Sequence, residues 1–143
     1  MPEGVPVEYP VEVFWEGGTR FRGGPAAGPT LLVDGERQAA PSPVDALVAA
    51  LASCSAVDVV EYLEKRRTPP ASLSVSVRFS RAPDPPRRLT DAHLTFRVAT
   101  TSPIEQVERA VQLSFEKYCS VAGSLAPDTR LQWSVELAPP VGG

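Results

Sequence analysis

The stretch LVAALASCSAVDVV, from Leu47 to Val60, decides the fold of this chain. It holds small and apolar side chains around one thiol, Cys54. Its 14 residues follow Asp45 closely and contain one charged residue, Asp58, near their end. A bilayer span needs about 20 apolar residues. We therefore predict a buried core helix here, and we expect no membrane partner.

The helix that contains this stretch has a predicted start and a predicted stop. Ser42-Pro43-Val44-Asp45 supplies an N-cap serine, a first-turn proline and the acid of a capping box. Thr68-Pro69-Pro70 ends the helix after about Arg67. Ser102-Pro103-Ile104-Glu105 predicts a second helix that starts in the same way, and residues 119–125 either continue it or open a further turn. Its apolar stripe consists of Ile104, Val107, Val111, Phe115 and Tyr118.

Strands are predicted on both sides of these helices. Alternating apolar side chains predict strands at residues 5–15, 73–79, 92–98 and 131–137, and glycine-bounded segments predict shorter ones at 17–24 and 30–35. This order predicts one α+β domain over residues 1–143 with antiparallel pairing, rather than an alternating βαβ sheet. The first helix is apolar nearly all round, so one small sheet cannot cover it and a second chain is expected.

Composition excludes several classes of function. The formal net charge of −3 gives no electrostatic reason to expect nucleic acid. The first ten residues, MPEGVPVEYP, lack the features of a secretory signal, so we expect a cytoplasmic protein with reduced thiols. A single histidine, His93, argues against a histidine-rich metal site, and we expect no metal or cofactor.

The two cysteines admit three interpretations: inert buried residues, a functional thiol pair, or a structural disulfide. No CxxC spacing occurs, which excludes the thioredoxin and zinc-ribbon patterns. The neighbours of Cys54 are small, so a ligand or another backbone can come close to its sulfur. Cys119 lies near a predicted helix junction, and a helix N-terminus favours a thiolate. Asp58 and Glu61 either orient groups near Cys54 or form the polar edge of the helix.

The segments SPVDALVAALASCSAVDVVEYLEKRR and EKYCSVAGSL together resemble the OsmC/Ohr family of thiol-dependent peroxidases, in its OsmC-like branch. The resemblance covers essentially the whole chain. It implies an intertwined homodimer in which antiparallel sheets wrap two central helices. It also implies that Cys54 is the peroxidatic and Cys119 the resolving cysteine, and that organic hydroperoxides are reduced to alcohols. An external thiol, a dihydrolipoyl group in the family, would then reduce the disulfide.

The charged pair of the family is altered in this sequence. Family members carry a glutamate ten residues before the first cysteine, paired with an arginine beside the thiol. That position here is Val44, and the acid is Asp45. Nine helical residues span about 13 Å, so Asp45 could assist Cys54 only across a dimer, while its capping role remains an alternative. The candidate arginines are Arg20, Arg22 and Arg37, with Arg20 ranked first.

A second function stays open beside the peroxidase. A protein of this fold with little peroxidase activity could bind an apolar ligand in the dimer groove. An arginine near Cys54 favours the peroxidase, because an apolar wall alone raises the pKa of a thiol.

Overall fold

The computed structural model describes residues 4–139, and its elements follow the predicted order of strands and helices. The chain divides into two units, Met1–Leu47 and Val48–Gly143, so the boundary lies inside the long helix. The predicted α+β class is confirmed.

The first unit contains an antiparallel sheet of three strands. These are β1 (Val11–Trp15), β2 (Arg20–Pro25) and β3 (Leu31–Asp34), in the order β1-β2-β3. Gly17 and Gly18 adopt positive φ in the turn that joins β1 to β2. The predicted strand over residues 5–15 is correct only from Val11 onward, and its side chains are exposed rather than half-buried. The alternation of apolar residues correctly predicted a strand, but no element of this sheet covers the apolar face of β1.

Helix α1 spans Pro43–Lys65, two residues short of the predicted end. Its buried residues recur every three or four positions, so one stripe of the helix packs into the core. They are Val48, Leu51, Ser55, Val59 and Leu63. The other faces of the helix, apolar as well, are not buried to the same extent.

The second unit contains a sheet of order β4-β5-β6: β4 (Ser72–Arg81), β5 (Leu89–Ala99) and β6 (Arg130–Leu137). Strands β4 and β5 pair antiparallel, as predicted, but β5 and β6 pair parallel. The prediction of purely antiparallel sheets was therefore wrong. The helices between β5 and β6 form a crossover, which returns the chain to the end where β5 begins.

The connection between β5 and β6 has three parts. Helix α2 spans Ile104–Leu113, a π-helical turn spans Ser114–Tyr118, and the short helix α3 spans Ser120–Gly123. The π turn shifts the helical register, so Tyr118 is exposed although the predicted stripe included it. Phe115, by contrast, packs edge-on against Phe96 of the core.

The capping box predicted at the second helix is wrong. Pro103 is extended and is itself the N-cap residue, with no side-chain hydrogen bond to the cap. The helix thus begins one residue later than predicted, beyond the reach of Ser102. The Ser102 hydroxyl is buried and has no hydrogen-bond partner among the described residues.

Candidate functional site

Cys54 lies in the middle of α1, at the edge of the stripe that faces the core. Its side chain is half-buried and packs against the buried hydrophobic cluster of the second unit. The flanking Ser53 is exposed, whereas Ser55 is completely buried. The Cys54 sulfur therefore sits at the border between core and surface, where a substrate can reach it.

Cys119 joins the π turn to α3 and is held by the backbone on both sides. Its N–H donates to the Ser114 carbonyl at 2.7 Å, and its sulfur accepts from the Ala122 N–H at 3.4 Å. Only 6% of the residue is exposed. As the N-cap of α3, Cys119 occupies the kind of position that the sequence indicated, but inside the core.

The structure brings the two thiols together, because Cys54 packs against the buried cluster that contains Cys119 and the two side chains are neighbours. Burial raises the pKa of Cys119, the Ala122 N–H opposes this, and the neighbouring Cys54 raises it further. The helix N-terminus therefore does not make Cys119 the easily ionised thiol, since burial outweighs it. Both cysteines are free thiols, and two neighbouring thiols can be oxidised to a disulfide.

A second side-chain contact joins the same two segments. The Ser114 hydroxyl donates to the Asp58 carboxylate at 2.7 Å, and Ser114 is completely buried. Asp58 therefore orients a group of the π turn, which is one of the two roles that the sequence left open. Glu61 is exposed and lines, with Asp58, a cavity of about 370 Å³ that neither cysteine lines.

Asp45 forms a capping box and also an ion pair. The Ser42 N–H donates to the Asp45 carboxylate and the Asp45 N–H donates to the Ser42 hydroxyl, both at 3.1 Å. Arg37 binds the same carboxylate through Nε at 2.7 Å and through a terminal nitrogen at 3.2 Å. The Ser42 N–H lowers the pKa of Asp45 most, and Arg37 lowers it further. The predicted capping box at Ser42 is confirmed.

The three candidate arginines occupy different environments. Arg20, ranked first from the sequence, is exposed and does not bind Asp45. Arg22 forms an ion pair with Glu16 at 2.9 Å. Arg37 is therefore the arginine that contacts Asp45, while the ranking of Arg20 as the arginine that assists Cys54 stays a prediction.

Sequence reasoning missed the residue that shapes the Arg37 loop. Asp34 is buried and accepts hydrogen bonds from the Thr19 hydroxyl and from three backbone N–H groups, those of Glu36, Gln38 and Ala39. These bonds, led by that of Thr19, lower the pKa of Asp34 to about 2. Arg37 within this loop adopts φ 58, a conformation that side-chain-bearing residues rarely take. The Asp-Gly pair after β3 was the available signal, because Asp bonds its own backbone two residues on.

Within residues 4–139, no three histidine, cysteine or acidic side chains converge as metal ligands. Helix α1 is long and apolar enough to cross a membrane by length and composition alone, with a mean hydropathy of 1.7 over its best window. Core helices of soluble proteins have the same property, so this criterion does not identify a membrane span.

Comparison with known proteins gives consistent results. The sequence model of the family described as OsmC-like protein matches residues 34–134. Protein YhfA of Escherichia coli (strain K12) is 38% identical over 128 residues, which cover 87% of this chain and 95% of YhfA. The crystal structure of an OsmC-like protein from Mycoplasma pneumoniae superimposes with a TM-score of 0.78 at 14% identity, covering 92% of this chain and 98% of that one.

A more distant structure carries a name that states a biological role. The organic hydroperoxide resistance protein OhrB of Bacillus subtilis superimposes with a TM-score of 0.56 at 16% identity, covering 92% of this chain and 98% of OhrB. At this identity the likeness extends to the fold alone.

Proposed function

Because the chain belongs to the OsmC-like family, we propose that it is a thiol-dependent peroxidase that reduces organic hydroperoxides to alcohols. Cys54 is the peroxidatic cysteine and Cys119 the resolving cysteine. The observation that carries this proposal is the proximity of the two side chains, a half-buried thiol beside a buried one.

The two thiols differ in the way the reaction requires. Cys119 is 6% exposed and its pKa is raised, so it keeps its proton and is shielded from substrate. These differences favour attack by Cys54, at the border of the core, and resolution by Cys119.

The proposed reaction balances without a cofactor. The Cys54 thiolate attacks the terminal oxygen of the hydroperoxide, the O–O bond breaks, and the alkoxide takes a proton to leave as alcohol. Cys54 is now a sulfenic acid. The Cys119 sulfur attacks the Cys54 sulfur, the S–S bond forms, and the hydroxyl leaves with the Cys119 proton as water. An external dithiol, for which a dihydrolipoyl group is our candidate, reduces the disulfide and is itself oxidised.

A homodimer is part of the proposal, because large apolar surfaces of this chain are uncovered. Only 22% of the most apolar window of α1 is buried, and Val57 on that helix is 54% exposed. Val11, Val13 and Trp15 of β1 are between 61% and 67% exposed. Obligate dimers bury more than about 2,000 Å² of such surface. A second copy of this chain supplies the cover.

In this proposal Arg37 replaces Arg20 as the arginine that assists Cys54, and it does so across the dimer, because its partner Asp45 is too far along α1 from the Cys54 of the same chain. The support is its bidentate contact with Asp45, since the family uses a carboxylate–arginine pair and Arg37 with Asp45 is such a pair. Asp45 caps α1 and also binds the guanidinium, so the proposal gives it a role in the chemistry beside its cap.

A second candidate function rests on an apolar depression along α1. It has a volume of about 420 Å³ and is lined by Ser53, Ala56, Val57, Val60 and Glu61. An apolar ligand bound there, without peroxide chemistry, is the alternative to the peroxidase.

Stopped-flow mixing with cumene hydroperoxide and with hydrogen peroxide tests the proposal. We expect faster reaction with cumene hydroperoxide, and conversion of the wild type by one equivalent to an intramolecular Cys54–Cys119 disulfide that has lost two hydrogens. Cys119→Ser is expected to stop at a Cys54 sulfenic acid that dimedone traps, and Cys54→Ser to consume no peroxide. Ser53→Ala, which removes an exposed hydroxyl beside Cys54, is the matched control and should behave as wild type. A wild type that stays dithiol in excess hydroperoxide would leave ligand binding as the better candidate.

A further inference from the structure

Two side-chain pairs link α1 to the segment 114–119: the hydrogen-bonded pair of Asp58 and Ser114, and the neighbouring thiols of Cys54 and Cys119. We infer that Asp58 and Ser114 are positioning residues that hold Cys119 against Cys54 for disulfide formation. The inference rests on the proposed function, because it concerns the resolving step of that reaction. Neither residue touches the substrate.

The spacing of the two links gives the first argument. Asp58 follows Cys54 by four residues, so the two side chains lie one turn apart on the same face of α1. Ser114 precedes Cys119 by five residues, and the π turn closes that distance with a 2.7 Å hydrogen bond from the Cys119 N–H to the Ser114 carbonyl. One helical turn of α1, from Cys54 to Asp58, thus lies against one π turn. Cys119 is at the end of that turn near Cys54, and Ser114 is at the end near Asp58.

The burial of Ser114 gives the second argument. Its hydroxyl is shielded from solvent and its partner is a carboxylate, and hydrogen bonds to charged acceptors are about twice as strong as neutral ones. The link therefore fixes where the π turn lies on α1. Because the carbonyl of the same serine holds the Cys119 backbone, a shift of Ser114 moves Cys119 directly.

Disulfide formation requires a narrower range of relative positions of the two cysteines than side-chain packing does. The two Cα atoms must come within about 4.4–6.8 Å with suitable side-chain directions. When the Cys119 sulfur attacks the Cys54 sulfenic acid, the S–S bond forms and water leaves, so no further oxidant is needed. The effective concentration of one thiol at the other depends on how well the two backbones are held before reaction. Loosening the Asp58–Ser114 link should lower that concentration in the dithiol state.

Equilibration of the whole protein with dithiothreitol redox buffers measures this effect without any peroxide. We expect Ser114→Ala and Asp58→Ala each to lower the equilibrium constant for the Cys54–Cys119 disulfide about tenfold, which raises its reduction potential by about 30 mV. Asp58→Asn keeps an acceptor oxygen and should shift the equilibrium less. Ser55→Ala is the matched control, since this buried hydroxyl bonds only carbonyls of its own helix, and it should leave the potential unchanged.

The reduction potential of the double variant Asp58→Ala/Ser114→Ala shows whether the two residues act through one shared hydrogen bond or through two independent packing effects. We expect its shift to equal that of either single variant, because the second substitution has no bond left to break. Circular dichroism and oligomeric mass identify any variant that does not fold, in which case Asp58→Asn carries the test. Additive shifts, or single variants with the wild-type potential, would overturn the inference, as would a wild type that forms no disulfide. A wild type that forms the disulfide but does not consume cumene hydroperoxide would instead refute the proposed peroxidase and leave the positioning role intact.

Discussion

Arg37 forms a bidentate ion pair with the carboxylate of Asp45. Its Nε lies 2.7 Å from one oxygen, and a terminal nitrogen lies 3.2 Å from the other. Asp45 also caps α1 through Ser42, so one carboxylate serves the helix start and the guanidinium together. Arg37 is 68% exposed in its side chain, and exposed ion pairs contribute little to stability. Stability therefore does not account for this pair, and its proposed role is to assist Cys54 across the dimer.

Replacement of Arg37 should slow the reaction of Cys54 while replacement of Arg20 should not. In a Cys119→Ser background, we expect Arg37→Ala to lower the rate of Cys54 alkylation near neutral pH severalfold, since the proposal places this cation beside the partner copy's sulfur and a cation there favours the thiolate. Iodoacetamide labelling followed by mass spectrometry measures the rate. Arg20→Ala removes an exposed arginine that has no contact with Asp45 and is the control. Equal rates in both variants and in the parent would remove Arg37 from the mechanism.

The two serine–proline helix starts should differ in their contribution to stability. Ser42→Ala removes a working N-cap and should lower the free energy of unfolding by about 1 kcal/mol. Ser102→Ala removes a buried hydroxyl that has no partner among the described residues, so it should leave stability unchanged or raise it. Urea titration of both variants against the wild type gives the two values. A loss of similar size at Ser102 would mean that its hydroxyl caps α2 after all.

Acid should destabilise the protein partly through Asp34. The folded-state pKa of about 2 is below the ordinary 3.8, so folding favours the ionised form. This stabilisation is complete above pH 3.8 and is lost as the pH falls toward 2. Thr19→Val removes the largest cause of the lowered pKa, so the variant should be less stable near neutral pH and should lose less stability between pH 3.8 and 2. Urea titrations at a series of acidic pH values check this, and a variant curve parallel to that of the wild type would contradict it.

The uncovered face of α1 should make this chain a dimer. Sedimentation at micromolar concentration is expected to give a mass near twice 15.3 kDa. Val57→Asp places a charge on the apolar face and should shift the protein toward monomer or unfold it. Glu64→Lys alters the charge at an exposed position of the same helix and should remain dimeric. A stable, folded wild-type monomer would contradict the dimer.

Some features of this chain follow from residues close together in sequence, and the sequence alone determined them. The apolar run around Cys54 made α1 a core helix, and the Ser42–Asp45 capping box fixed its start, because both depend on neighbours within one or two turns. Alternation likewise located β4 and β5 and identified which side chains face inward. The cysteines were recognisable as a candidate pair, though not as neighbours, from the residues that surround each of them.

Other features depend on where the chain returns, and only the tertiary structure decided them. The pattern of β6 is the same whether it pairs parallel or antiparallel, and the crossover through α2 determines that pairing with β5. Ser42 and Ser102 stand in equivalent sequences, but the extended Pro103 shifts the second helix start and leaves Ser102 unpaired. Arg37 rather than Arg20 meets Asp45 because the hydrogen bonds of Asp34 fold the intervening loop. The contact of Cys54 with Cys119 requires two elements to pack side by side, and local propensity carries no information about such packing.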